Sequence, residues 1–325
     1  MSSGNLTGIK RNSRVGIFFI SIAVLTMVLV SVGCGQVDVS GTPELALRPP
    51  VAAKKPMELT AHGDTRVDEY YWLRERDDPE VIAYLEAENY YTKAVLRHTE
   101  KLQEELFREI VGRISESDET VPYLKNGYYY YERYEEGGEY PVYCRREGSL
   151  DAEEEVLLDV NEMAKGYDYF QVTGLAVSPD NSTLAFGVDI VSRRKYTICF
   201  KDIGTGEMLA DSIPVTTGRA VWANDNRTVF YSVKDETLRP FKVLSHALGT
   251  EVSVDREVYR EDDPTFNAYV SRSKSDEYIF INCNSTLSTE YRFLDADDPG
   301  GEFNVLLPRE RDHEYEVYHH GDDFY

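Results

Sequence analysis

Cysteine and positive charge are both in short supply. The 325 residues contain four cysteines; Cys34 follows an apolar leader, while Cys144, Cys199 and Cys283 stand in three separate β-like runs. An odd set spread in this way does not indicate a disulfide framework, so buried single thiols are expected. Lys and Arg number 35 against 58 Asp and Glu, a net charge of -23. This balance argues against nucleic acid or an anionic membrane surface as an electrostatic partner of the folded part. Cationic ligands would be attracted, although a merely soluble acidic surface accounts for the same numbers. The 42% hydrophobic and 12% aromatic content is enough for a substantial core, and the length suits about two domains.

The second half of the chain repeats. Ser178-Pro179-Asp180-Asn181, Ala223-Asn224-Asp225-Asn226, Ser273-Lys274-Ser275-Asp276 and His319-His320-Gly321-Asp322 are turn-like signals at intervals of roughly 45 to 50 residues, the period of propeller-type arrays. Almost nothing follows the last signal, and Phe324-Tyr325 reads as the start of the next strand. The expectation is a β unit interrupted partway and unable to bury its faces alone.

The N-terminus reads as an export segment over residues 1–33. Lys10, Arg11 and Arg14 form a basic region, Val15 to Val32 is almost unbroken apolar sequence, and Gly33-Cys34-Gly35 follows. Ser31-Val32-Gly33-Cys34 resembles the lipobox of bacterial lipoproteins, with Ser31 where leucine is usual. Cys34 is therefore the expected lipid attachment point of an exported protein in the cell envelope, on its periplasmic or surface side. An uncleaved helix of about 18 residues, just long enough to span a bilayer, and an ordinary cleaved signal are the alternatives. Residues 34–55, with Pro43, Pro49 and Pro50 among small residues, read as a tether.

Residues 56–117 read as a helical segment. Asp78-Pro79-Glu80 supplies an N-cap, a proline at the first helical position and an acid in the first turn. The apolar period then runs to about Ser115, with two helices meeting near His98-Thr99, and Glu104 to Arg108 and Glu109 to Arg113 are favourable pairs four residues apart. Before it stands His62-Gly63-Asp64-Thr65-Arg66-Val67-Asp68-Glu69-Tyr70-Tyr71-Trp72-Leu73-Arg74. Gly63 and Asp64 suit a turn, Asp68 can bond its local backbone, and three aromatics offer area to bury.

That thirteen-residue run resembles the N-terminal signature of the prolyl oligopeptidase family of serine peptidases, within it the oligopeptidase B (protease II) branch. Smaller matches follow in order at Pro122-Tyr123, Asn126-Gly127-Tyr128, Glu139-Tyr140-Pro141, Ser192-Arg193-Arg194, Val221-Trp222-Ala223-Asn224-Asp225 and Asp312-His313-Glu314-Tyr315. The resemblance runs from about Arg48 to Tyr325. It implies a helical segment that packs on a C-terminal α/β-hydrolase domain, with a seven-bladed β-propeller as a lid between them. Residues 118–325 would then be a partial propeller, mainly β, holding blades one to four and the start of a fifth. Blade one is expected from Val121 to Asn161 with a hairpin at Asn126-Gly127, blade two from Leu175-Ala176-Val177, Leu184-Ala185-Phe186 and Thr197-Ile198-Cys199-Phe200, and blades three and four around Trp222 and Ile279-Phe280-Ile281.

Acyl transfer in such an enzyme needs a serine raised on a Gly-x-Ser-x-Gly turn. The pentad does not occur in these 325 residues, and the family places Ser, Asp and His after the propeller. No catalytic residue is assigned, no cofactor or metal is expected, and the chain is predicted inactive alone. The implied partners are short basic peptides, since oligopeptidase B cleaves after Lys or Arg, together with the hydrolase domain and, through the N-terminal anchor, a membrane. A stand-alone surface-anchored propeller that binds a partner is the competing class, and a fragment completed by a separate chain is a third. His319-His320 with Asp322-Asp323 suggests a metal site only weakly, because adjacent strand residues face opposite ways. Asp262-Asp263-Pro264 and Asp297-Asp298-Pro299 read as turns. Arg193-Arg194-Lys195, the one dense basic cluster, reads as a solvated hairpin, with an interdomain salt-bridge patch as the family-based alternative.

Overall fold

The computed structural model describes residues 47–325. The export segment 1–33, Cys34 and the first part of the tether lie outside the described residues. Two compact units divide between Phe107 and Arg108, and no helix among the described residues is long and apolar enough to cross a membrane.

The first unit opens with a hairpin, β1 (Met57–Ala61) against β2 (Asp64–Asp68). His62 and Gly63 both take positive φ, 53° and 81°, the two-residue turn whose twist suits paired strands. Asp68 then accepts the Tyr70 amide at 2.8 Å, the local bond expected of it. The aromatics bury less than anticipated. Tyr70 stays exposed and Tyr71 and Trp72 are half-buried; Trp72 donates its indole N–H to the Ala53 carbonyl at 2.9 Å, with the Lys55 ammonium 4.4 Å above its ring. Helix α1 (Pro79–Leu96) starts as predicted, Asp78 capping the Glu80 amide at 2.8 Å. A single 3-10 turn at Arg97–Thr99 leads into α2 (Glu100–Val111), which crosses the division between the units. The regular helix stops short of Ser115 because the amides of Arg113 and Ile114 bond the carbonyls three residues back, at Ile110 and Val111; such tightening is common in a last turn. Glu109 and Arg113 form the anticipated ion pair.

The second unit is β. Its first sheet contains β3 (Asp118–Glu119), β4 (Tyr123–Lys125), β5 (Tyr128–Tyr134), β6 (Val142–Glu147) and β7 (Glu154–Asp159), followed by a one-turn helix α3 (Val160–Met163). Asn126 and Gly127 close β4 on β5 with φ of 46° and 83°. Then come β8 (Gln171–Val177), β9 (Thr183–Asp189), β10 (Tyr196–Asp202), β11 (Met208–Trp222), β12 (Thr228–Lys234), β13 (Pro240–Ala247) and β14 (Arg256–Arg260), all antiparallel in one seven-stranded sheet. A four-stranded sheet holds β15 (Asn267–Arg272), β16 (Tyr278–Asn284), β17 (Thr289–Asp295) and β18 (Asn304–Val305), and a hairpin of β19 (His319–His320) and β20 (Asp323–Phe324) ends the described structure.

The seven-stranded sheet is two blades joined through one strand. The first half of β11 pairs with β10 at Met208 to Thr216, and its second half pairs with β12 at Ala220 to Trp222. β11 is therefore the outer strand of blade two and the inner strand of blade three. The change of partner occurs where Val215 and Gly218 take φ of 59° and 85°. Gly218 is needed there. A Cβ on it would lie 2.6 Å from the Thr173 methyl and 2.7 Å from the Tyr196 ring, far inside contact distance.

The repeating signals are equivalent turns. In three blades the first residue donates its amide to the carbonyl five residues on (Ser178 to Thr183, Ala223 to Thr228, Ser273 to Tyr278, at 2.8 to 2.9 Å). The fourth residue of each turn, Asn181, Asn226 or Asp276, is left-handed at φ 57° to 64°, a conformation that short polar side chains tolerate. The last signal differs in being a two-residue hairpin, with His320 opposite Asp323.

The core lies between successive blades. Leu157, Val160, Phe170, Leu184 and Phe186 fill the first interface; Ile198, Phe200, Ile213, Trp222 and Tyr231 the second; Phe230, Val243, Ile279 and Ile281 the third. Each such side chain contributes about 1.5–3 kcal/mol on burial, and a blade thus depends on its neighbours rather than on itself. Cys144, Cys199 and Cys283 are free thiols, two buried and one half-buried.

Candidate functional site

Residues of blades one to three line a cavity of about 490 Å³. Its walls include Tyr123, Tyr130 and Tyr143 from blade one, Thr173 to Val177 from β8, and Ala220 to Trp222 from β11, with Arg272 at the edge. Tyr123 stacks on Tyr130 at 5.5 Å between ring centroids. The indole N–H of Trp222 is consumed by the Ala176 carbonyl at 2.9 Å, so that ring offers the cavity an apolar face.

The repeated turns, which directly follow the lining residues Val177 and Trp222 in the chain, bond one another. The Asn181 side-chain amide donates to the Asn126 carbonyl at 3.2 Å, and the Asp180 backbone amide donates to Asn226 Oδ1 at 2.9 Å. Arg272 donates to the carbonyls of Trp222 at 2.7 Å and Asp276 at 2.8 Å and pairs with the Asp276 carboxylate at 2.8 Å. The same carboxylate lies 3.8 Å from Lys125 of blade one. Turns of four blades are thereby linked through polar side chains, a geometry set by the left-handed residue in each.

Burial shifts the titratable groups of this lining. Burial, assisted by Glu154, pushes the Cys144 thiol up to about 11, which removes the thiolate a nucleophile needs. Burial likewise raises Tyr143 to about 12, with Glu132 and Tyr134 adding to it. Burial holds Arg272 below the ordinary guanidinium value, against the opposing pull of Asp276 and Asp297.

The residues singled out in sequence occupy separate places. His319 is buried, its Nδ1 2.8 Å from Ser275 Oγ and its ring 4.6 Å from that of Tyr278, whereas His320 is exposed. The Ser275–His319 pair is a tie between blade four and the hairpin after it, with no carboxylate orienting the imidazole among the described residues. Among those residues no three His, Cys, Asp or Glu side chains are grouped to hold a metal ion. Asp263 accepts the Thr265 amide and hydroxyl at 2.9 and 2.7 Å, and the Asp297 amide bonds Asp295 at 2.8 Å; both acidic pairs belong to turns. Arg193, Arg194 and Lys195 are exposed on the β9–β10 connection, where Asp189 accepts the amides of Val191, Arg193 and Arg194.

Sequence reading missed the buried polar groups. His246 is completely buried between Asp255, 2.7 Å from Nδ1, and Asp211, 3.0 Å from Nε2. The Tyr231 hydroxyl donates to Asp255 at 2.6 Å and the Gly249 amide to Asp211 at 2.6 Å; burial and the bond to Asp255 push the Tyr231 phenol upward. Arg309 similarly joins Glu261 at 2.5 Å and Glu290 at 3.9 Å. The partners are up to 48 residues apart in sequence, and no local pattern marks them.

The profile of the prolyl oligopeptidase N-terminal beta-propeller domain matches residues 49–325. The chain is 45% identical over 293 residues to dipeptidyl aminopeptidase BI of Pseudoxanthomonas mexicana, covering 84% of this chain and 40% of that protein. It is 35% identical to protease 2 of Moraxella lacunata, covering 84% and 41%. Among solved structures, oligopeptidase B from Leishmania major superposes with a TM-score of 0.78 at 32% identity, over 85% of this chain and 42% of that one. The chain thus spans about two-fifths of the length of these relatives.

Proposed function

The chain belongs to the prolyl oligopeptidase family, and we propose that it is the N-terminal, gating portion of an exported serine oligopeptidase resembling oligopeptidase B. On this reading the propeller admits short peptides and an α/β-hydrolase domain cleaves them after Lys or Arg. The observation that carries it is the cavity lined by Tyr123, Tyr130, Trp222 and Arg272, whose aromatic faces and guanidinium suit contact with a peptide. The surplus of 23 acidic groups supports basic substrates, since such a field concentrates cations at an entrance without reading sequence. The basic leader and Cys34 support export and lipid anchoring at a membrane.

Assays with Arg- and Lys-ester substrates test this assignment. The 325-residue chain alone is expected to show no turnover that a serine-directed fluorophosphonate abolishes; such turnover would overturn it. In an enzyme carrying the hydrolase domain, kcat/KM for dibasic peptides should fall as salt rises, and an unchanged value would remove the steering role.

A further inference from the structure

Blades two, three and four form a second cavity, of about 700 Å³, at the strand ends remote from the linked turns. The acidic chain is locally positive there. Arg194 enters from the β9–β10 connection, Arg219 from β11 and Lys234 from the end of β12, while β16 contributes Asn282 and Asn284. The cations are unequally committed. Arg239, also in the lining, is held by Asp235 at 3.1 Å and by the carbonyls of Asp263 and Phe266. Lys234 donates to the Arg194 carbonyl. The Arg194 and Arg219 guanidinium groups are exposed, and neither has a carboxylate partner among the described residues. The nearby acid, Asp189, is occupied by three backbone amides of its own loop. Burial and the Arg194 charge both lower the Lys234 pKa, with Asp189 opposing them; the positive charges therefore crowd one another.

The acceptors are also uncommitted. Asn282 Oδ1 and Asn284 Oδ1 are buried without a hydrogen-bond partner among the described residues, a costly condition unless something donates to them. They are two residues apart on one strand and so share a face. We propose that this cavity binds the free carboxylate end of a short peptide, Arg194 and Arg219 pairing with the carboxylate while Asn282 and Asn284 accept backbone N–H groups. Phosphate or sulfate would engage the guanidinium groups but has no N–H for the asparagines. The volume matches a few residues rather than a single ion, and Leu238, Pro240, Tyr269 and Val270 supply apolar wall for side chains.

Titration calorimetry of the 325-residue chain with acetyl-trialanine as the free acid, and with its C-terminal amide, provides the test. The acid is expected to bind and the amide to bind at least about tenfold more weakly, in line with loss of a charge-assisted pair. Arg194→Gln and Arg219→Gln should each weaken the acid about fivefold or more, and Asn282→Ala should weaken acid and amide alike. Acetyl-Ala-Glu-Ala amide distinguishes the source: it is expected to bind as weakly as the trialanine amide, and binding equal to the free acid overturns the assignment to a chain end. Equal affinity for acid and amide, an unchanged affinity in the Arg194→Gln/Arg219→Gln double variant, or full displacement by equimolar inorganic phosphate overturns the proposal. Both arginines are exposed, so unaltered unfolding midpoints of the variants check that the fold survives. Binding needs no turnover, and its failure leaves the peptidase assignment standing.

Discussion

The helical unit and the blades treat apolar surface in opposite ways. Among the described residues of α1 and α2 only Val81 is fully buried, while Leu85, Tyr90, Leu102, Leu106, Phe107 and Ile110 remain exposed. In the blades, Leu184, Phe186, Ile198, Phe200, Phe230 and Ile281 have essentially no exposure. Both regions have clear secondary-structure signals. Local pattern therefore specifies an element without completing its environment, and stability should concentrate where blades meet.

The sharpest way to break this contrast is Trp222→Ala. It removes a ring packed edge-on against Phe200 at 6.0 Å, together with the bond to Ala176, and should cost about 3–5 kcal/mol in urea unfolding. A cost below about 1 kcal/mol would show that blades two and three are not held by their shared core. His246→Leu comes next at about 3 kcal/mol, because the buried carboxyl groups of Asp211 and Asp255 lose the imidazole between them. The value lies at the low end of its range since Tyr231 and Gly249 still donate.

Acid should separate the regions further. For Glu261, burial raises the carboxyl pKa, but bonds from Arg309, Tyr259 and the Asp263 amide outweigh it and leave the group below its ordinary range. Asp180 and Asp225 are depressed in the same manner by their turn donors, again against burial. A depressed folded pKa gives stability that is complete above the unfolded value and is lost as pH falls through the folded one. Blade unfolding should therefore become easier below about pH 4. With Trp72→Phe, the fluorescence of Trp222 reports this region alone, and a midpoint independent of pH from about 5 to 2.5 would contradict the turn network. The smallest effect expected is that of Leu106→Ala in exposed α2, within about 0.5 kcal/mol by calorimetry; a loss above about 2 kcal/mol would mean that this face is covered.

Much of the fold was legible because its signals are local. Asp78-Pro79-Glu80 announced α1, Asn126-Gly127 a hairpin, and the signals starting at Ser178, Ala223 and Ser273 the equivalent turns of successive blades. The candidate cavity was not legible. Tyr123, Val172 and Trp222 lie nearly a hundred residues apart from first to last and meet only because blades stack. The same holds for the shared strand β11, whose change of partner depends on how closely Gly218 approaches Thr173 and Tyr196.

Scarce cysteine, surplus acid, the turn period and the motif at His62 to Arg74 determined, without coordinates, a β array of this family with a helical segment before it. Those properties reside in backbone preference and residue chemistry within short windows. Tertiary structure decided which polar groups are buried together, such as Asp211, His246 and Asp255, and which cations lack a carboxylate partner among the described residues, such as Arg194 and Arg219. The reason is physical: burial and charge pairing are set by distance in space, and stacked blades bring together residues that the chain keeps far apart.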